Sequence, residues 1–268
     1  MTADTGRERM KPEEKSVEQG STNSLVRGLS VLECFGREKR HRYTLSELAK
    51  RLNMPKSSIF RVLKTLSRMG YLRYEEHSKH YYLGVRVLSL GFAMLEGMEL
   101  REIARPYMEM LSHECNKTIN LAVLDGMEMV YLERVSVRSI RAYNIGVGSR
   151  IGLWDGAAGK AVLAYLDLST VSQMFKKAKE EGALKGDEEA FMNVLADVRK
   201  NGFAANNQEQ RAGIIAVAAP IFSSKGVTGA INLIAEPEEV SIDVLKTDYA
   251  PKLMKISNQL SEALGYRG

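Results

Sequence analysis

Residues 44–69 read Thr-Leu-Ser-Glu-Leu-Ala-Lys-Arg-Leu-Asn-Met-Pro-Lys-Ser-Ser-Ile-Phe-Arg-Val-Leu-Lys-Thr-Leu-Ser-Arg-Met, and no other stretch restricts the fold as tightly. Thr44 with Glu47 three residues later is a capping box, each side chain satisfying a backbone N–H of the other, and it predicts a helix start. Leu45, Leu48, Ala49 and Leu52 then share one face. Asn53 and Met54 end that helix, and Pro55, predicted at the first helical position, begins the next without wasting a donor. Ile59, Val62, Leu63 and Leu66 give the second helix a buried face, while Lys56, Ser57, Ser58, Arg61 and Lys64 occupy the opposite one. A basic second helix after a short turn is what a helix-turn-helix presents to base edges and phosphates in a major groove.

Gly70 suits a helix stop, and residues 71–74 and 81–83 read as two aromatic-rich strands, a wing whose polar tip spans residues 75–80. Thr44, Arg73, Lys79 and His80 complete the set expected to meet DNA. Charge points the same way. Residues 37–86 carry 13 basic side chains against four acidic ones, a net of +9, so the rest of a chain of formal charge +5 sums to −4. Two-helix patterns also arise in helical enzymes, and a basic run is usually a solvated face; here both coincide with the capping box and the hairpin.

The chain is long enough for two domains. It holds no run approaching the roughly 18 to 20 apolar residues of a membrane span and no apolar signal core, so a cytoplasmic location is expected. Cys34 and Cys115, far apart, suit reduced buried thiols. Residues 1–20 are charged and nearly without apolar side chains, which predicts a disordered tail. A winged domain over residues 21–85 is expected to begin with a helix over 23–38 whose stripe is Leu25, Val26, Leu29, Leu32 and Cys34 or Phe35. Residues 86–98 form a linker helix apolar on most of its circumference, covered either by its copy in a second subunit or by packing within the chain.

Residues 99–268 read as an α+β domain with a mainly antiparallel sheet. Its first helix, with Leu100, Ile103, Ala104, Tyr107, Met108 and Leu111 inward, ends by Asn116. Strands follow at 118–124 and 127–135 about Asp125-Gly126, with a third at 139–145. A helix is expected over 157–166. Asp187 caps another, with Phe191, Val194, Leu195 and Val198 inward and Asn201-Gly202 as its stop. Strands at 213–221 and 227–235 flank Ser224-Lys225-Gly226, and a terminal helix runs to Leu264 with a kink at Pro251.

The order of winged helix-turn-helix, apolar linker helix and α+β domain resembles the IclR family of bacterial transcription regulators from about Asn23 to the C-terminus. The resemblance is carried by the 44–49 and 52–58 segments, Gly70-Tyr-Leu, Tyr82-Leu-Gly, Asn120-Leu-Ala-Val-Leu-Asp-Gly, Ala158-Gly-Lys-Ala, Gly202-Phe and Gly213-Ile-Ile-Ala-Val-Ala-Ala-Pro-Ile. It implies a GAF-like effector-binding and oligomerisation domain that takes a small metabolite, often an organic or aromatic acid. Matching the family's pocket segments places Tyr143, Ala157, Ala158, Asn206, Ile214, Ala216 and Asn232 around that ligand, with Trp154 and Ile234 nearby. Ala157 and Ala158 stand at a helix start, where free N–H groups favour a carboxylate. Trp154-Asp155-Gly156 stands where the family often has Ser or Thr with His, and Asn206 where it is often acidic, which implies a different, larger or aromatic effector. Trp154 is equally suited to plugging a pocket or an interface.

Other chemistries fit less well. In Gly156-Ala-Ala-Gly-Lys160-Ala161 the first glycine of a phosphate loop is replaced by Trp154 and its Ser or Thr by Ala161. Gly146, Gly148 and Gly152 miss the dinucleotide spacing, the four histidines lack metal-ligand spacing, and no nucleophile elbow is present. No catalytic residue, metal or cofactor is therefore expected. The expected function is a transcriptional regulator, a repressor, that binds duplex operator DNA as a homodimer or homotetramer and responds to a metabolite. The alternatives are a ligand-independent DNA-binding protein whose second domain only oligomerises, and an enzyme with an accessory winged domain.

Overall fold

The computed structural model describes residues 23–36, 41–136 and 145–267. The chain divides into two compact units, one up to Gly91 and one from Phe92.

The first unit runs α1 (Asn23–Cys34), β1 (Tyr43–Thr44), α2 (Leu45–Arg51), α3 (Lys56–Arg68), β2 (Leu72–Glu75), β3 (His80–Leu83) and the start of α4 (Val85–Glu96). Val31, Cys34, Phe35, Tyr43, Leu48, Ile59, Leu63, Leu72 and Tyr81 close its core. The capping box forms: the Glu47 carboxylate accepts from the Thr44 N–H at 2.7 Å, and Thr44 Oγ1 accepts from the Glu47 N–H at 3.3 Å. Pro55 stands one position earlier than expected, as the residue before α3 with an extended ψ of 138°. Asn53, at φ 50°, makes the preceding turn. The wing has a third strand the sequence did not reveal, because β1 pairs with β3 and gives the order β1-β3-β2. In α1, Val31, Cys34 and Phe35 face inward but Leu25, Val26 and Leu29 are exposed, so the expected stripe is buried only at its C-terminal end. Along α4, among the described residues, none is buried, and Val85, Leu88, Leu90, Phe92 and Met94 are more than half exposed. The expected tail over residues 1–20 lies outside the described residues.

The second unit is an α+β fold built on one six-stranded antiparallel sheet in the order β6-β5-β4-β9-β8-β7. Its elements are α5 (Glu99–Cys115), β4 (Thr118–Asp125), β5 (Glu128–Val135), β6 (Arg150–Gly152), α6 (Ala157–Leu163), α7 (Leu168–Glu180), α8 (Glu188–Asn201), β7 (Ala204–Asn207), β8 (Ile215–Ser223), β9 (Gly226–Ala235), α9 (Ile242–Val244) and α10 (Ala250–Ala263). One face of the sheet is covered by α5 and α10, packing Leu100, Met108, Leu111, Leu253, Ile256 and Leu260 on Ile119, Leu121, Val217, Ile231 and Leu233. Burial of each such side chain contributes roughly 1.5 to 3 kcal/mol, so this large-residue face anchors the unit. The other face meets α6, α7 and α8 and is lined by smaller residues, among them Ala122, Ala204, Ala216, Ala218 and Ala230. Gly159 brings α6 close to the chain: a Cβ there would sit 1.9 Å from the Leu153 carbonyl oxygen.

Local signals located most of these elements. Asp125 pairs with Glu128, so the β4–β5 turn is Gly126-Met127 with positive φ only at Gly126, as a II′ hairpin requires. Asp187 caps α8 by accepting from the Ala190 N–H at 2.9 Å, and Gly202 stops it at φ 76°. Asn116, at φ 51°, closes α5. Several expectations are corrected. The helix at 157 ends at Leu163 rather than 166. Val194 is exposed, since the buried stripe of α8 is only Leu195 and Val198. Pro251 kinks nothing: it lies in the first turn of α10, where its missing N–H is tolerated, after a π-type turn over Leu245–Tyr249. The expected third strand falls on residues 139–144, outside those described, except Ile145, which is in no strand; β6 takes the place beside β5. Both α7 and β7 come as additions.

One irregularity positions the site. Leu121 pairs with Glu133 but Ala122 with Tyr131, so Leu132 is an extra residue in β5, a bulge. Beyond it, Glu133 faces the α5 side beside Leu121, and Arg134 turns to the opposite face beside Asn120.

Candidate nucleic-acid interface and effector site

On α3 the two faces separate cleanly: Ile59 and Leu63 are fully buried, while Lys56, Ser57, Arg61 and Lys64 are exposed. Ser58 is half-buried and its Oγ accepts from Arg27 Nη1 at 3.1 Å, which ties α1 to the N-terminal turn of α3. Phe60, about half exposed on the same helix, was not singled out by sequence reasoning, and no polar pattern would have marked it. On the wing, Arg73 and Lys79 are exposed, and Lys79 makes the tip turn at φ 54°. His80 is half-buried, with Nδ1 2.6 Å from the Ser78 carbonyl oxygen. Thr44 is the strand partner of His80, and both its hydroxyl, at 2.8 Å, and its N–H, at 2.7 Å, already donate to Glu47, so the capping box engages both of its donors. Thr44, Arg73, Lys79 and His80 thus share one small sheet, and Lys56, Ser57, Ser58, Arg61 and Lys64 one helix.

In the second unit, Ala157, Ala158, Ile214, Ala216 and Ile234 are buried together on the α6 side of the sheet, with Trp154 partly buried against them. Ala157 and Ala158 open α6 as expected, after Gly156, which makes no side-chain cap. Asn206, 2% exposed, donates from Nδ2 to the Asp155 carbonyl at 2.6 Å and so fastens β7 to the loop that leads into that helix. Lys160 is also buried and pairs with Glu209, a second tie between α6 and the segment after β7. Trp154 meets the Phe175 and Phe191 rings edge-on at 5.6 and 5.5 Å, contacts that hold α7 and α8 together. Tyr143 lies outside the described residues.

Strand register places Asn232, Asn206, Ala216 and Ile234, named from the sequence, beside Ala204, Ala218, Asn120, Arg134 and Thr118, which were not named as ligand contacts. Ala204, Ala218, Asn232, Asn120 and Arg134 are successive partners across β7, β8, β9, β4 and β5. Two residues along the strands, Asn206, Ala216, Ile234 and Thr118 form a second row. Arg134 Nη1 donates to Asn120 Oδ1 at 3.3 Å, and the Thr118 and Ser136 hydroxyls are 2.8 Å apart. A polar strip with one cation therefore crosses a face that also carries Ala122, Ala204, Ala216, Ala218 and Ala230 and the larger Tyr131 and Ile234. Alternation along β4, with Thr118 and Asn120 set against Ile119 and Leu121, would have marked Thr118 and Asn120, but the bulge hides Arg134 from any such count. On the opposite face Glu133, buried, receives Arg101 at 2.8 Å and Arg105 at 3.5 Å from α5. Among the described residues, no three His, Cys, Asp or Glu side chains converge to hold a metal, and no helix is long and apolar enough to cross a membrane.

Comparison with known proteins matches this division of the chain. The IclR helix-turn-helix domain matches residues 24–76, and the bacterial transcriptional regulator IclR C-terminal domain matches residues 92–262. The HTH-type transcriptional regulator KdgR of Escherichia coli is 30% identical over 251 residues, covering 92% of this chain and 94% of that protein. The crystal structure of an IclR family transcriptional regulator from Brucella abortus superposes with a TM-score of 0.78 at 27% identity, over 91% of this chain and 93% of that one. An IclR homologue from Microbacterium hydrocarbonoxydans, crystallised with 4-hydroxybenzoate, shares the fold at a TM-score of 0.73 and 23% identity, over 91% of this chain and 99% of its own. With both domain models matched in order on a winged helix-turn-helix and an antiparallel GAF-like sheet, the chain belongs to the IclR family of bacterial transcriptional regulators.

Proposed function

We propose that this regulator is a cytoplasmic repressor without catalytic activity, whose operator binding is modulated by a small organic or aromatic acid held in the second unit. The observation that carries the DNA half is the split of α3 into a buried Ile59/Leu63 side and an exposed Lys56/Ser57/Arg61/Lys64 side. On this proposal Ser57, Ser58 and Arg61 read base edges, while Lys56, Lys64, Arg73, Lys79 and His80 position the phosphates. The effector lies against Ala157, Ala158, Asn206, Ile214, Ala216 and Asn232, with Trp154 and Ile234 nearby. Arg134 supports an anionic ligand better than α6 does, because that helix is only seven residues long. The 4-hydroxybenzoate in the Microbacterium homologue is in keeping with an aromatic acid. The exposed apolar side chains of α4 support a homodimer or homotetramer in which that helix meets its copy.

Effector and operator are coupled only if the ligand binds one conformation more tightly, and such coupling is typically about 1 to 3 kcal/mol. The test is selection of duplex DNA from a random pool by the purified chain, followed by titration of the selected site with 4-hydroxybenzoate and related acids. A two-fold symmetric site whose affinity falls steeply with salt and shifts with an acid is the expected outcome. Retention of DNA without sequence preference would refute the first half, and a site that no compound affects would favour a purely oligomerising second domain.

A further inference from the structure

Asn120 and Asn232 lie opposite each other on adjacent strands of the face proposed to hold the effector, 0% and 3% exposed. Arg134 Nη1 donates to Asn120 Oδ1, which settles which end of that amide is oxygen and turns Nδ2 away from the guanidinium. Nδ2 of Asn120 and Oδ1 of Asn232 are both sealed from solvent, and neither has a hydrogen-bond partner. A native fold seldom leaves one buried polar atom unsatisfied, and here a donor and an acceptor are left so on register partners. Their surroundings supply no partner: the row continues to Ala218 on one side and to Arg134, which is on the other atom of the Asn120 amide, while the adjacent same-face pairs are Ala122 with Ala230 and Thr118 with Ile234, the Thr118 hydroxyl being 2.8 Å from that of Ser136.

The two orphans specify a chemistry. A group that satisfies both must accept from an amide N–H and donate to an amide oxygen. A carboxylate has no proton for Asn232, and an ammonium has no lone pair for Asn120; a hydroxyl has both on one atom. We propose that the Asn120–Asn232 pair is a hydroxyl-recognition site, and that the effector is a hydroxylated small organic compound whose hydroxyl bridges Asn120 Nδ2 and Asn232 Oδ1. This rests on the α6 side of the sheet being the effector site. Arg134 acts as a positioning residue, fixing the Asn120 amide so that its donor faces the ligand.

The test combines one variant with matched ligands on the full chain. Asn232→Leu removes one orphan and leaves the size of the side chain nearly unchanged. If the pair is kept for a ligand, the unliganded variant is more stable than wild type, with a melting midpoint raised by about 2 to 6 °C. If instead the two amides are satisfied internally, through each other or an ordered water, the midpoint falls, and the proposal is overturned. Ligand preference is the second measurement, by calorimetry with hydroxylated and deoxy partners: 4-hydroxybenzoate against benzoate, lactate against propionate, phenol against benzene. Wild type should favour the hydroxylated member of at least one pair by about 10- to 100-fold, and Asn232→Leu should lose that preference. Binding of deoxy members alone, or of no hydroxylated compound, overturns the hydroxyl assignment. Operator affinity that responds to none of these compounds counts instead against the face being an effector site.

Discussion

Gly159→Ala sets two physical effects of opposite sign against each other. Alanine is the better helix former, and in an open helix interior the exchange would stabilise by about 1 kcal/mol. At this position, however, the new Cβ would stand 1.9 Å from the Leu153 carbonyl oxygen, 2.6 Å from its carbon and 2.8 Å from the Leu153 Cα. All three are backbone atoms, so no side-chain rotation relieves the clash. Reaching an ordinary 3.4 Å contact from 1.9 Å takes a retreat of 1.5 Å by α6, and the buried Ala157, Ala158, Ala161 and Val162 would lose contact with the sheet together. Overpacking typically costs about 1 to 3 kcal/mol and more where backbone must move; with backbone on both sides of this clash a cost of about 3 to 4 kcal/mol is expected, and subtracting the helix gain of about 1 leaves a net loss of roughly 2 to 3 kcal/mol. For a unit of this size that lowers the thermal midpoint by about 4 to 12 °C. Urea denaturation followed by tryptophan fluorescence reports the second unit, since Trp154, the one tryptophan, packs there against Phe175 and Phe191. A variant as stable as wild type, or more so, would show that α6 does not depend on this close approach.

The remaining predictions concern charge and thiol chemistry. Arg61→Ala should weaken operator binding by roughly 1 to 3 kcal/mol if the side chain grips a guanine, while near-uV circular dichroism stays unchanged; equal affinity in a folded variant would remove Arg61 from the interface. Glu114 is held below its ordinary value by its hydrogen bond from Lys252, then by the charge of Lys252, so its contribution is present above the usual carboxylate range and lost as pH falls through the lowered folded value. Glu114→Gln should therefore lower stability slightly at neutral pH and leave it unchanged at acid pH, so that the acid limb of the stability profile flattens; an unchanged acid limb would contradict this. Burial raises the Cys115 thiol above its ordinary value, so at pH 8 it should react with a disulfide reagent only as fast as the second unit opens; prompt labelling in the native state would mean the thiol is accessible.

What the sequence disclosed was set by a few neighbouring residues. Thr44 with Glu47, Gly126, Asp187 and Gly202 each act within about three positions, so helix starts, stops and the β4–β5 turn were legible. Elements that exist only through distant pairing were not. β1 is two residues long and is held by β3, and β7 is Ala-Ala-Asn-Asn, with no strand-forming side chain to announce it. The narrow buried stripe of α7, only Val171, Phe175 and Ala178, gave equally little signal. Periodicity found the apolar face of α1 but not its surroundings, which is why Leu25 and Leu29 are exposed where burial was expected. At the site, family resemblance supplied Asn206, Ile214, Ala216, Asn232 and Ile234, which the fold gathers on one sheet face. Asn120 was marked by the alternation of β4 but not singled out, and Arg134, displaced by the bulge, emerged only from strand register.

The way β5 accommodates Leu132 decides the sign of the charge offered to whatever lies beneath α6. Were the strand to run through Leu132 in regular register, Leu132 would pair with Leu121, Glu133 with Asn120 and Arg134 with Ile119, handing a carboxylate to the alanine-lined side and driving a guanidinium among Leu121, Ile231 and Leu233. Looping one residue out keeps the cation on that side, and a chain lacking Leu132 would keep it there too, with Glu133 still opposite Leu121 and Arg134 opposite Asn120.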